Sequence, residues 1–180
     1  MKKHLLSLLL LATVIVSAQE EKSQISVEKK LTRIVFLDPG ISYEYGLGNK
    51  TTLYSSLSLY PIYFGDSKQI KNWGIAPNIN EDLRYYYNLV KRVRKNKNIS
   101  GNSGNYISLL AIYGLTPIGK TYSYTDLDGL TLAPTWGFQR TYKSGFNLSL
   151  NLGYGYNFSP YQSVRGEKIV GNFIIGWVLR

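Results

Sequence analysis

Residues 146–158 read Phe-Asn-Leu-Ser-Leu-Asn-Leu-Gly-Tyr-Gly-Tyr-Asn-Phe, an alternation of apolar with small or polar side chains that never breaks phase. Successive side chains on a strand point to opposite sides, so this stretch divides an apolar environment from a polar one along its whole length. At about 3.3 Å per residue it covers roughly 40 Å, whereas a tilted strand crosses a bilayer core in about 9 to 11 residues. Strands of soluble sandwiches are usually nearer about 5 or 6 residues, so the pattern favours a membrane-crossing strand.

The N-terminus bears on where such a strand would go. Met1-Lys2-Lys3-His4 is a positive region, Leu5 to Val16 is an apolar run, and Val16-Ser17-Ala18 before Gln19 offers small residues for cleavage. Residues 1–18 therefore read as a secretory signal peptide. The run ends at Gln19-Glu20-Glu21-Lys22, short of the roughly 20 apolar residues of a membrane-spanning helix. No later segment reaches that length either, so a membrane life requires a closed barrel. Residues 19–30 read as an N-terminal segment and 31–180 as one barrel domain. Tyrosine, at 16 of 180 residues, is the loudest compositional excess. Its ring suits the membrane interface, and it also has ordinary β-propensity.

Six further segments carry period two. In 31–47 the odd positions from Val35 to Leu47 are apolar, and the phase runs unbroken through Asp38-Pro39-Gly40. Asp-Pro-Gly is locally a turn, but the kept phase predicts a single long strand with a kink or bulge. Segments 51–64 and 75–89 follow. In the latter the odd set is apolar apart from Glu81, against Asn78, Asn80, Asp82, Arg84 and Asn88. Segment 105–115 is apolar on both faces, which leaves its facing open. Segments 130–142 and 146–158, joined by Lys143-Ser144-Gly145, read as a hairpin, and 169–179 ends the chain. Single-chain bacterial barrels have even strand numbers, so eight strands are expected from seven clear segments. The eighth can come from Gln24 to Lys30, from a turn at Asp38-Pro39-Gly40, or from Ile118 to Tyr124. Short turns at 47–51 and 141–145 are expected on the periplasmic side and longer loops at 65–74, 115–128 and 159–168 outside.

The chemistry open to this chain is narrow. His4 is the sole histidine, it falls in the signal peptide, and there is no cysteine. Nucleophilic triads, cysteine chemistry, disulfides, a lipidated N-terminal cysteine and the usual zinc or haem ligand sets are thereby removed. A carboxylate-only enzyme would have to draw on Glu44, Glu81, Asp82, Asp126 or Asp128. Glu44, Asp82 and Arg84 instead read as inward-facing members of a lumen ion-pair network that fills a narrow barrel. Asp126-Leu127-Asp128-Gly129 lacks calcium-loop spacing and reads as a turn. No catalytic, cofactor or metal residues are expected. Lys91, Arg92, Arg94, Lys95 and Lys97 form a basic run that suits anionic headgroups or simply a solvated turn. No aromatic interleaves it, which disfavours nucleic acid. Gly101-Asn102-Ser103-Gly104 reads as a flexible linker.

With segments such as Ile41-Ser42-Tyr43-Glu44-Tyr45 and Leu83-Arg84-Tyr85-Tyr86-Tyr87-Asn88, and a last strand carrying Trp177, the chain resembles the small outer-membrane β-barrel proteins of Gram-negative bacteria, the OmpA-like and OmpX-like group. The resemblance implies an all-β, antiparallel up-and-down transmembrane barrel with outer-membrane lipid around it and the barrel-assembly machinery as its partner during insertion. It implies a non-enzymatic role, structural, adhesive or partner-binding, exercised through the outer loops on a protein or surface partner. The competing expectation is a secreted or periplasmic lipocalin-like barrel carrying an apolar ligand, which would demand the opposite polarity.

Overall fold

The computed structural model describes residues 25–66, 69–115, 118–119, 129–159 and 165–179. Its strands are β1 (Lys30–Val35), β2 (Gly40–Gly46), β3 (Thr51–Asp66), β4 (Gln69–Tyr86), β5 (Gly104–Gly114), the two-residue β6 (Ile118–Gly119), β7 (Gly129–Thr141), β8 (Phe146–Asn157) and β9 (Gly166–Leu179). The eight long strands pair antiparallel with their chain neighbours, and β1 pairs with β9 through Thr32↔Leu179 to Val35↔Gly176. The ladder closes on itself, which removes the free edges of an open sheet. β6 only extends the β4 ladder, at Ile75↔Ile118. The rest of 118–124, including any further strand there, lies outside the described residues, as do the signal peptide and the Asp126–Asp128 turn.

The long strand expected over 31–47 is a hairpin, and this supplies the eighth strand. Val35 pairs with Gly40 across a turn at 36–39, giving β1 and β2. The phase was misleading because paired residues share a face, so four connecting residues exchange odd for even. Leu31, Arg33 and Val35 point into the barrel from odd positions of β1, while on β2 the inward residues are Ser42 and Glu44 and the odd Ile41 and Tyr43 point out. Two apolar lumen residues on β1 thus joined numerically to the apolar outer face of β2. Of the other candidate strand, Gln24 to Lys30, Lys30 opens β1 and the Lys29 carbonyl accepts from the Gly46 amide, while residues 25–28 belong to no strand and Val27 among them packs against Tyr86, Leu89 and Tyr106 at the barrel's mouth.

The facing is the same all round. β4 sends Asn80, Asp82, Arg84 and Tyr86 inward, β7 sends Thr131, Thr135, Gln139 and Thr141, and β8 sends Asn147, Ser149 and Asn151. Outward are Ile34, Ile41, Leu57, Leu83, Ile107, Leu109, Leu152 and Phe173, all exposed. On β5 the ambiguity resolves with Tyr106 and Leu110 inside and Ile107 and Leu109 outside. The lumen tolerates the Tyr106 ring because Gly137 lies beneath it, where a Cβ would come within 2.6 Å of the ring. Such alternation of large and small residues is what a narrow eight-stranded interior requires.

The two rims differ. At the near rim, where residues 25–30 and Leu179 lie, the connections are short or folded back on the barrel. The β4–β5 connection carries one helix, α1 (Leu89–Arg94), and a tight 3-10 turn at Ser100–Asn102. Far from being a flexible linker, Gly101 to Gly104 is buried, and Gly101 (φ +59°) sits where any Cβ would strike Thr141. At the far rim β3 and β4 run on past their neighbours. β2 last pairs at Gly40↔Ser58 and β5 at Asn78↔Gly114, yet β3 and β4 remain paired to Asp66↔Gln69. The loop expected over 65–74 is therefore a tall hairpin, rising about 25 Å along the strand beyond the closed wall.

Candidate functional site

The polar interior is built around two ion pairs. Arg33 Nη2 donates to Glu44 Oε2 at 2.7 Å, and Arg84 Nε donates to Asp82 Oδ2 at 2.7 Å, with all four side chains buried. Glu44 also accepts from the Thr52 hydroxyl and the Tyr86 phenol, each at 2.8 Å, and from Gln139 Nε2 at 3.3 Å. Arg84 reaches the same glutamine, donating from Nη1 to Oε1 at 3.1 Å. Its guanidinium lies 3.8 Å from the Tyr54 ring centroid and 4.7 Å from that of Tyr106. A planar cation between two aromatic faces is held by both charge and stacking.

Glu44, Asp82 and Arg84 thus stand in one connected cluster, although Glu44 and Arg84 meet through Gln139 rather than directly. Arg33, Gln139, Thr52 and the three tyrosines complete it and were not singled out from sequence. Arg33 was hidden in the merged 31–47 strand. The lone long amide on the Thr, Ala, Gly and Thr face of β7 was the available signal for Gln139. The two cations balance the two acids. Glu44 is fully buried, so its oxygens are turned to donors of the protein itself and offer no approach to a substrate.

Above this cluster, toward the far rim, a cavity of about 10 Å³ lies among Tyr54, Ser56, Asn80, Asp82, Asn151 and Ile174. That is room for about one water molecule. Asp82, whose Oδ1 has no protein partner, is among its lining residues. Below the cluster the near mouth is sealed. Val27 packs with Tyr86, Leu89 and Tyr106, flanked by Ile25 and Ile99. Glu28 fastens this strap to the 3-10 turn: its amide donates to Asn102 Oδ1 at 2.7 Å and its carboxylate accepts from the Gly101 amide and from Ser100 Oγ. The turn is held from the wall by Gln139 Nε2 donating to the Gly101 carbonyl at 2.8 Å.

The remaining carboxylate candidates are not gathered here. Glu81 is next to Asp82 in sequence and so on the opposite face of β4, outside the wall, where Ser55 Oγ donates to it at 2.6 Å. The basic run sits at the near rim. Within it Arg92 closes its own loop, donating from Nε and Nη2 to the Asn98 carbonyl at 3.1 and 2.7 Å. Partial burial lowers its pKa from the ordinary value. Lys91, Arg94, Lys95 and Lys97 are exposed, and their side chains make no hydrogen bond or ion pair among the described residues.

Residues 5–174 match the model of a protein family described as protein of unknown function (DUF3575). No curated protein and no solved structure matches the chain significantly.

Proposed function

The chain belongs to the DUF3575 family, and from that premise we propose that it is a non-enzymatic integral outer-membrane barrel of the OmpA-like and OmpX-like kind, exported by its N-terminal segment and acting through its far rim. The observation that carries this reading is the inverted polarity of the barrel. Charged and amide side chains are buried inside, while large aliphatic and aromatic side chains cover the outer wall. Outer-membrane barrels have an apolar outer band and a polar interior, whereas a carrier of an apolar ligand needs the reverse. A lumen filled by two ion pairs, with a cavity of about 10 Å³ beside them, also leaves no room for a lipocalin-like cargo. Aromatic side chains support the bilayer placement. Tyr85, Tyr87, Trp136, Tyr142 and Trp177 face outward toward the near rim, and Trp136 Nε1 donates to the Tyr87 hydroxyl at 2.8 Å.

In this reading the near rim is periplasmic and the tall β3–β4 hairpin stands in the extracellular space, where it projects furthest among the described residues. A structural or adhesive role uses that projection without any reacting group. The test is fractionation of the expressed chain, with unboiled and boiled samples compared on a detergent gel. Recovery in the outer membrane with a heat-modifiable band is the expected result. Recovery as a soluble periplasmic protein would falsify the proposal and return attention to an apolar cargo.

Glu81 gives a second check. It lies four residues along β4 from the outward Tyr85, about 10 Å in depth for a tilted strand, which puts it well inside an apolar band about 25 Å tall. A lipid-facing acid there is costly even with Ser55 as its donor. Glu81→Leu is expected to stabilise the barrel in phospholipid vesicles by about 1 kcal/mol in a urea titration. No gain, or a loss, would place this wall outside the lipid.

A further inference from the structure

Charge is distributed unevenly between the rims. Residues 25–30, 46–51, 88–104 and 140–147 at the near rim hold ten Lys and Arg against a single acid, Glu28. The described residues at the far rim hold three acids, Asp38, Asp66 and Glu167, and three cations, Lys71, Arg165 and Lys168. Two of the near-rim cations lie against aromatic rings. Lys29 Nζ is 4.8 Å from the Tyr45 ring centroid, and the Arg140 guanidinium is 5.2 Å from that of Phe138.

The cations also frame a shaped site. Asn98 Nδ2 donates to the Thr141 carbonyl at 2.8 Å, which leans the loop after α1 against the β7–β8 turn. Between them runs a groove of about 570 Å³ with Lys97 on one wall and Tyr142 and Lys143 on the other. A second groove of about 340 Å³ begins at Lys143 and runs past Ser144 and Gly145 to Trp177 and Leu179. Lys143 is common to both. A left-handed Gly145 (φ +96°) keeps the turn tight against Trp177, where a Cβ would come within 2.7 Å of the indole Nε1. Two unpaired ammonium groups at the mouth and an outward tryptophan and leucine along the wall form a polar head and an apolar track.

We propose that Lys97 and Lys143 bind the phosphate of an anionic glycerophospholipid of the periplasmic leaflet, with an acyl chain lying along Trp177 and Leu179. The inference rests on the membrane reading and adds a ligand to it. Lysine suits a phosphate approached from one side, as a compact charge with three donors on a mobile stem. Its place beside interfacial aromatics matches the phosphate depth of a leaflet better than that of a polymer further into the periplasm.

The full-length protein, folded into phosphatidylcholine vesicles with and without phosphatidylglycerol, supplies the test. A heat-modifiable band in pure phosphatidylcholine checks the barrel independently of lipid charge. Native mass spectrometry of the extracted protein then counts retained lipid. The expected result is preferential retention of phosphatidylglycerol, reduced roughly fivefold for each of Lys97→Gln and Lys143→Gln and little changed by Lys91→Gln with Lys95→Gln. A folded barrel that retains both lipids equally, or loses phosphatidylglycerol equally with either pair of substitutions, overturns the site and leaves the membrane reading standing. Capture by acidic peptidoglycan fragments with no preference among lipids also overturns it. Failure to fold into any vesicle removes both.

Discussion

Glu44→Ala is expected to cost the barrel about 3–5 kcal/mol, the usual penalty for removing one partner of a buried ion pair. The loss is large because Glu44 is the acceptor for four side chains from β1, β3, β4 and β7, namely Arg33, Thr52, Tyr86 and Gln139. Its removal leaves Arg33 buried without a counter-charge, and Arg33 already has Nε and Nη1 without protein partners. The measurement is a urea titration in phospholipid vesicles, read by the unboiled gel band. Replacing both partners, Arg33→Met with Glu44→Met, is expected to recover the part of the loss that comes from the stranded Arg33 charge, while the Thr52 hydroxyl and Tyr86 phenol still lose their acceptor. Should the double variant prove no more stable than Glu44→Ala, or the single variant cost less than about 1 kcal/mol, the pair does not hold the lumen together.

The same cluster marks how far the sequence could be read. Strands whose lumen face is purely polar or small were legible to within a few residues. β8, with Asn147, Ser149 and Asn151 inside, and β7, with Thr131, Thr135 and Gln139, are the clear cases. Legibility failed where the lumen itself takes apolar residues. Leu31 and Val35 on β1 made a hairpin look like one strand, and Leu110 with Tyr106 on β5 erased the contrast between faces. Those residues are inside for local packing reasons: Val35 with Tyr54 and Ile174, and Tyr106 over Gly137. Period two cannot report such choices, because it records polarity and not shape. Glycine and asparagine misled in a different way at 101–104, where composition suggested a linker. Left-handed conformations at Gly101 and Asn102 are what let the chain turn tightly under the barrel and be buried there. The partners that bury it, Glu28, Gln139 and Thr141, come from distant parts of the sequence.

Tyr113→Arg should be the most damaging single change on the outer wall. Tyr113 lies six residues along β5 from Ile107, which Tyr85 and Trp136 flank, about 15 Å deeper for a tilted strand and so near the middle of an apolar band about 25 Å tall, and it is 50% exposed. In a soluble barrel an arginine at such an exposed position would be nearly neutral, because the guanidinium would be solvated. In a bilayer the same residue faces hydrocarbon near the midplane, where arginine costs about 2–4 kcal/mol, falling to about 0–1 kcal/mol near the interface. Ile107→Arg supplies the second point of the profile: it faces outward from the same strand, level with the near-rim aromatics Tyr85 and Trp136. The expected outcome in vesicle titrations is a marked loss at position 113 and a small one at 107. Equal and negligible costs at the two depths would mean that water, not lipid, covers this wall. Equal and large costs would point to a protein partner packed along its full height. Depth dependence therefore separates the environments that surround the barrel, and it does so with substitutions that leave the buried ion pairs untouched.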